Sequence, residues 1–298
     1  NISDSCYVLS MAVKAGLGQH LTNKSVGSAM TTLNKSVIRA ALCLGLLLAT
    51  MTWLGANGCA NAQSPGEGGE LETSNDPITI EAGTTVSRAI ASRNGAITIG
   101  ENAEVSNIEA RNGAITLGEG ARAASIEARN GAITLRGDNI TEEIESRNGR
   151  ISIGAESTIN GSIETRNGRI TIERESTVEG DIETRNGSIE TEEGVRVAGE
   201  VETRNGSIAL AGTQVNVLVD SRNGDIRLRE GTVVQGDVRL LMSENWSGSN
   251  PPVLSIDAES RVEGRLIVDE RAQVEIEAGA EVPEVERFAS REDWEREQ

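Results

Sequence analysis

The tripeptide Arg-Asn-Gly occurs eight times in this chain, beginning at Arg93, Arg111, Arg129, Arg147, Arg166, Arg185, Arg204 and Arg222, always 18 or 19 residues apart. Self-similarity at a short, near-constant period marks a repeat architecture, in which each unit buries its apolar side only against its neighbours. Within one unit, Ile163-Glu-Thr-Arg-Asn167-Gly-Arg-Ile170-Thr-Ile172 alternates apolar or small residues with charged ones on both sides of Asn-Gly. Period two is the signature of strands. No 3.6-residue stripe survives in the repeats, and the crowding of Gly, Thr, Ile and Val is unfavourable to helix.

Asn-Gly between alternating runs is also the usual signal for a tight hairpin. A meander of hairpins would give two strands per repeat, whereas each repeat holds three short inward-facing groups, near Val178, Ile182 and Ile189. Three short sides per turn, each stacking on its counterpart one coil later, describe a β-helix. A left-handed hexapeptide helix needs an aliphatic residue at every sixth position, and stepping by six from Ile97 meets Ala103 and Glu109. The expectation is therefore an all-β, single-stranded right-handed β-helix of about ten coils.

Stacked coils align equivalent residues about 4.8 Å apart. This predicts two buried columns, Ile90, Ile108, Ile126, Ile144, Ile163, Ile182, Val201 and Val219, and Ile97, Ile115, Ile133, Ile151, Ile170, Ile189, Ile208 and Ile226. Asn94 and its equivalents form a corner column, either as an amide ladder or as residues in a left-handed turn beside their glycine. On the outward face Arg111, Arg129, Arg147, Arg166, Arg185 and Arg204 form one column. Two residues earlier, Glu109, Glu127, Glu145, Glu164, Glu183 and Glu202 form another. Residues two apart on a strand share a face, so each column is expected to relieve the repulsion within the other. The pair reads either as a self-neutralising solvated surface or as a linear docking face for a polyanion, a polysaccharide or another copy of the rod.

Aromatic residues make up 2% of the chain, so the core must be aliphatic. Residues 63 to 298 hold 24 arginines against 45 carboxylates, a net charge of −21. That balance argues against nucleic acid and anionic lipid surfaces as partners, which need a positive face. The same stretch has no His, Lys or Cys, which removes the usual bases, nucleophiles and thiolate metal ligands. No catalytic residue, metal or cofactor is expected. A β-helical polysaccharide-active enzyme using Arg and paired carboxylates is a minor alternative.

Met30 opens a stretch ordered like a secretory signal, with Lys35 and Arg39, an apolar run from Ala40 to Trp53 and the small residues Ala60-Asn61-Ala62. Residues 1–29 read as an upstream extension and 30–62 as the signal. Gly58-Cys59-Ala60 also resembles a lipoprotein cleavage site, so the product is either soluble or lipid-anchored through Cys59. Residues 63–76 read as a flexible linker, 77–240 as the Arg-Asn-Gly coils, 241–252 as a loop and 253–283 as terminal coils. In the tail 284–298, Val285 and Phe288 fall at helical spacing, so a short helix could cover the last coil.

The run Val178-Glu-Gly-Asp-Ile182-Glu-Thr-Arg-Asn-Gly-Ser-Ile189 resembles the repeat of bacterial β-strand-repeat, adhesin-like proteins. Ala258-Glu-Ser-Arg-Val262-Glu-Gly264-Arg-Leu266 is similar to the polymer-forming bactofilins. The resemblance implies a right-handed β-helix with a structural role, and the export signal departs from the bactofilins. The expected function is a non-enzymatic rod of the cell envelope, in the periplasm or at the outer surface. The expected partners are an envelope polysaccharide or other copies of the rod, meeting end to end or laterally.

Overall fold

A computed structural model describes residues 70–298. The extension 1–29, the signal-like stretch 30–62 and Cys59 lie outside the described residues.

The chain coils as a β-solenoid with three short faces per turn, and its strands pair in parallel with their equivalents in the neighbouring coils, those at the two ends on one side only. Face one carries the strands that follow the Asn-Gly corner, such as Ile151–Ile153, Ile170–Ile172 and Ile189–Thr191. Its eleven strands form one continuous sheet. Face two is made of two-residue strands such as Thr158–Ile159 and Thr177–Val178. Face three carries the strands that precede Asn-Gly, such as Ile163–Thr165 and Ile182–Thr184. Faces two and three join into one 20-stranded sheet, because Arg122–Ala128 and Ile140–Ser146 run unbroken through the corner between them.

Register is set by identity. Ile163 pairs with Ile182, and Ile182 with Val201; Ile151 pairs with Ile170, and Ile170 with Ile189. Both predicted aliphatic columns are closed to solvent. Each such side chain contributes about 1.5–3 kcal/mol by leaving water, which is how a core without aromatics holds. Face two adds its own column, Val178, Val197, Val215 and Val234.

The Asn-Gly corner is built on a ladder. The Nδ2 of Asn94 donates to Oδ1 of Asn75, and the chain of amides continues through Asn112, Asn130, Asn148, Asn167, Asn186 and Asn205 to Asn223 at 2.7–2.8 Å per step. Neither Asn nor Gly of this corner has positive φ. The glycine is required by proximity instead: a Cβ on Gly187 would lie 1.7 Å from the carbonyl oxygen of Gly168 in the preceding coil. Left-handed backbone occurs at a different corner, between faces one and two, at Asn102, Asp138, Glu156 and Glu175.

Beneath the ladder runs a buried hydroxyl column, Ser146, Thr165, Thr184, Thr203 and Ser221. Thr184 and Thr203 donate to the carbonyls of Gly168 and Gly187, one coil back, at 3.2 and 3.1 Å. The corner's inward side is therefore polar yet satisfied, as burial of hydroxyls requires.

The boundaries differ from expectation at both ends. Leu71–Thr73 is a strand paired with Ile90–Ser92, inside the stretch read as a linker. Its corner, Ser74-Asn75-Asp76, keeps the Asn but lacks Arg and Gly, so a search on the tripeptide passes over it. At the other end Val285–Phe288 is a strand on Leu266–Asp269, correcting the helical spacing read for Val285 and Phe288. The helix, α1, spans Arg291–Glu297 and is N-capped by Ser290, whose side chain accepts from the Asp293 amide. The segment 241–252 contains no strand and replaces the Asn-Gly corner of its coil.

Candidate docking face

Face three places the glutamates on its outward side. Glu127, Glu145, Glu164, Glu183 and Glu202 are register partners on successive strands, and Asp220 continues the line. The arginines sit at the adjoining corner, and Arg111 through Arg204 are exposed. The two columns border a shallow groove of about 180 Å³, lined by Glu145, Glu164 and Glu183 on one side and Arg147, Arg166 and Arg185 on the other, with Ser146 and Thr165 between.

The expected mutual neutralisation is not made by contact. Among the described residues one ion pair joins the columns, Arg222 to Glu202 at 4.0 Å. The carboxylates instead repel one another along the stack. Glu164 has its pKa raised by burial and then by Glu183 and Glu145. Glu127 is raised by burial, Glu109 and Glu145, with Arg129 opposing. Glu202 is raised by burial, Asp220 and Glu183, with Arg222 and Arg291 opposing. The physical reason is spacing: strand neighbours hold like charges about 4.8 Å apart, whereas an i, i+2 pair along a strand is separated by two residue rises. Both columns thus keep free donors and acceptors along the groove.

Where a guanidinium reaches the carboxylate line, it binds. Asp220, 1% exposed, pairs with Arg239 of the next coil at 2.9 Å and with Arg291 of α1. The Arg239 guanidinium lies 4.5 Å from the ring centre of Trp294. Helix α1 therefore lies on the outside of face three, and beneath it Ile267, an outward position, is fully buried. The helix is also tied to the segment 241–252: Arg291 N donates to Met242 O, and Glu244 N to the Glu292 carboxylate. Arg271 joins the group through the buried Asp269, at 2.8 Å, and the Ser243 carbonyl.

The sequence reading placed a helix in the tail 284–298 but over the last coil; its docking on the side of the rod together with 241–252 escaped that reading. Its signal is Leu266-Ile267-Val268, three apolar residues in succession that break the alternation and so require cover on both sides of the sheet. Among the described residues no group of three or more His, Cys, Asp or Glu is arranged to hold a metal ion. No helix among them is long and apolar enough to cross a membrane. No family model, curated protein or solved structure matches the chain.

Proposed function

We propose that this chain is a non-enzymatic structural or adhesin-like rod of the bacterial cell envelope, acting through the glutamate and arginine columns of face three. The observation that carries the reading is the in-register stack itself: coil follows coil in parallel register, and the groove runs along three successive repeats instead of interrupting them. The two segments that leave the coil, 241–252 and α1, fold together against the side of the rod. A β-helical enzyme would use such segments to wall a substrate cleft.

Export follows from the signal-like order of residues 30–62, with Cys59 as the lipid-bearing residue or Gln63 as the first residue of a soluble product. Cell fractionation with labelled palmitate, comparing wild type with Cys59→Ala, tests both. Label in the envelope fraction that vanishes in the variant supports an anchor, unlabelled periplasmic protein supports the soluble form, and cytoplasmic protein contradicts the proposal.

Assembly end to end is a second reading, favoured by one observation. The last strand of face one, Gln273–Ile276, has no following coil, and Ile276 is 36% exposed. Electron microscopy separates the two, since eleven strands at strand spacing make a discrete rod of roughly 50 Å and end-to-end contact makes long filaments.

A further inference from the structure

The two columns of face three are complementary to themselves. From Glu109 to Arg204 they contribute six carboxylates and six guanidiniums, a neutral strip on a chain segment that carries −21. A second rod that repeats this one about a two-fold axis parallel to the solenoid lays its arginine column on the first rod's glutamate column, coil facing coil. A two-fold axis perpendicular to the rods would instead set glutamate on glutamate. Because both columns advance by one strand spacing per coil, every rung of the parallel pair matches at once. Asp220 shows what this carboxylate line does with a guanidinium delivered from outside the coil: it takes Arg291 into a buried ion pair.

Helix α1 stands on the same face. In a parallel pair related by that axis, the two copies of α1 meet at the same level. Each is about 10 Å thick, so together they hold the strips apart. We propose that α1 is a strap that blocks lateral pairing of two rods through their glutamate and arginine columns, and that pairing follows when the strap is released. The proposal rests on face three being the acting surface. The strip is six rungs long, about 25 Å at strand spacing, and so falls short of the roughly 800 Å² per partner of a standard interface. The released pair is therefore weak, micromolar or looser, and sensitive to salt.

The test compares the full chain with a form ending at Ala289, by sedimentation velocity at low and high salt, with circular dichroism to verify folding. The 62–298 segment, in both forms, serves as a parallel control. The full chain is expected to stay monomeric, and the truncated chain to pair at about 0.02 M salt and separate near 1 M, where the screening length falls to about 3 Å. Two further truncated variants separate this pairing from stickiness of the uncovered Ile267. One is Glu145→Arg/Glu164→Arg/Glu183→Arg, and the other Arg147→Glu/Arg166→Glu/Arg185→Glu. Each is expected to be monomeric alone, and the two to pair when mixed. A truncated chain that stays monomeric at low salt overturns the proposal, as do reversed variants that associate alone. A monomer that remains a 50 Å rod removes the strap alone, whereas loss of the rod removes the reading of the face with it.

Discussion

Arg291 and Asp220 lie 71 residues apart in the chain and form an ion pair closed to solvent on the outside of the solenoid. Removing one partner of a buried pair leaves an uncompensated charge, a loss of about 3–5 kcal/mol. Arg239 remains on Asp220, so Arg291→Ala is expected to cost about 3 kcal/mol at the lower end of that range. Contacts in a solenoid are local, so the loss should appear in one region. Hydrogen exchange should accelerate in 237–240, 266–269 and 291–297 and remain unchanged around Ile126 and Ile144.

The glycine column makes the opposite kind of demand, since it tolerates no side chain. Gly187→Ala sets a methyl group 1.7 Å from a backbone oxygen of the preceding coil. The coils must separate at the corner, breaking ladder bonds on both sides, and a loss of more than about 3 kcal/mol is expected. Gly83 is a contrast: it has φ of +66° and nothing within 4 Å of an added Cβ. Gly83→Ala should cost only the left-handed penalty, about 1–2 kcal/mol. Thermal melts of the two variants check the order.

The amide ladder is exposed, so its bonds are worth less than their number implies. Asn167 donates to Asn148 and accepts from Asn186, both at 2.7 Å. Asn167→Ala removes both bonds, and at about 0.5–1.5 kcal/mol net for each the loss should be about 2 kcal/mol. Asn75 accepts from Asn94 at the start of the ladder, so Asn75→Ala should cost about half as much, measured by urea unfolding.

The stacked glutamates give the rod a pH dependence of definite sign. Glu127, Glu164 and Glu202 have folded pKa values above the ordinary 4.5, so the folded chain binds more protons than the unfolded chain in the interval just above 4.5. Their contribution to stability is complete below 4.5 and is lost as pH rises through the raised folded values. The melting temperature should therefore increase as pH is lowered from 7 toward 4.5. Glu127→Gln/Glu164→Gln/Glu202→Gln should flatten that rise, and a profile that falls over the same interval would contradict the raised values.

The coil and its two aliphatic columns were legible in the sequence because a solenoid writes its contacts as a period: Ile163 meets Ile182 since both hold the same place in the repeat. The reason for the glycine was not legible, because a tight turn and a close approach of backbones call for the same residue. The charge columns were read in the right places, and Arg129 and Arg222 do oppose the raised pKa values of Glu127 and Glu202, but the scarcity of direct ion pairs between the columns was not visible. Spacing along one strand was visible, whereas burial on the stacked face, and after it the spacing between coils that sets Glu183 and Glu145 beside Glu164, raises the Glu164 pKa. The docking of the loop and tail helix on face three was hidden for the reason that makes the rest plain, since Arg291, Trp294 and Met242 belong to no repeat. Only the broken alternation around Ile267 marks where they land.

The most direct measurement of the stack is disulfide cross-linking in a chain whose Cys6, Cys43 and Cys59 are replaced by Ser. Thr171 and Glu190 are register partners on neighbouring coils, at a strand spacing of about 4.8 Å that suits a disulfide, whereas Thr171 and Ser188, displaced by two residues, lie beyond the roughly 7 Å limit. Thr171→Cys/Glu190→Cys is predicted to oxidise fully under mild conditions while Thr171→Cys/Ser188→Cys stays reduced. Failure of the first pair, or equal oxidation of both, would contradict the in-register parallel coil.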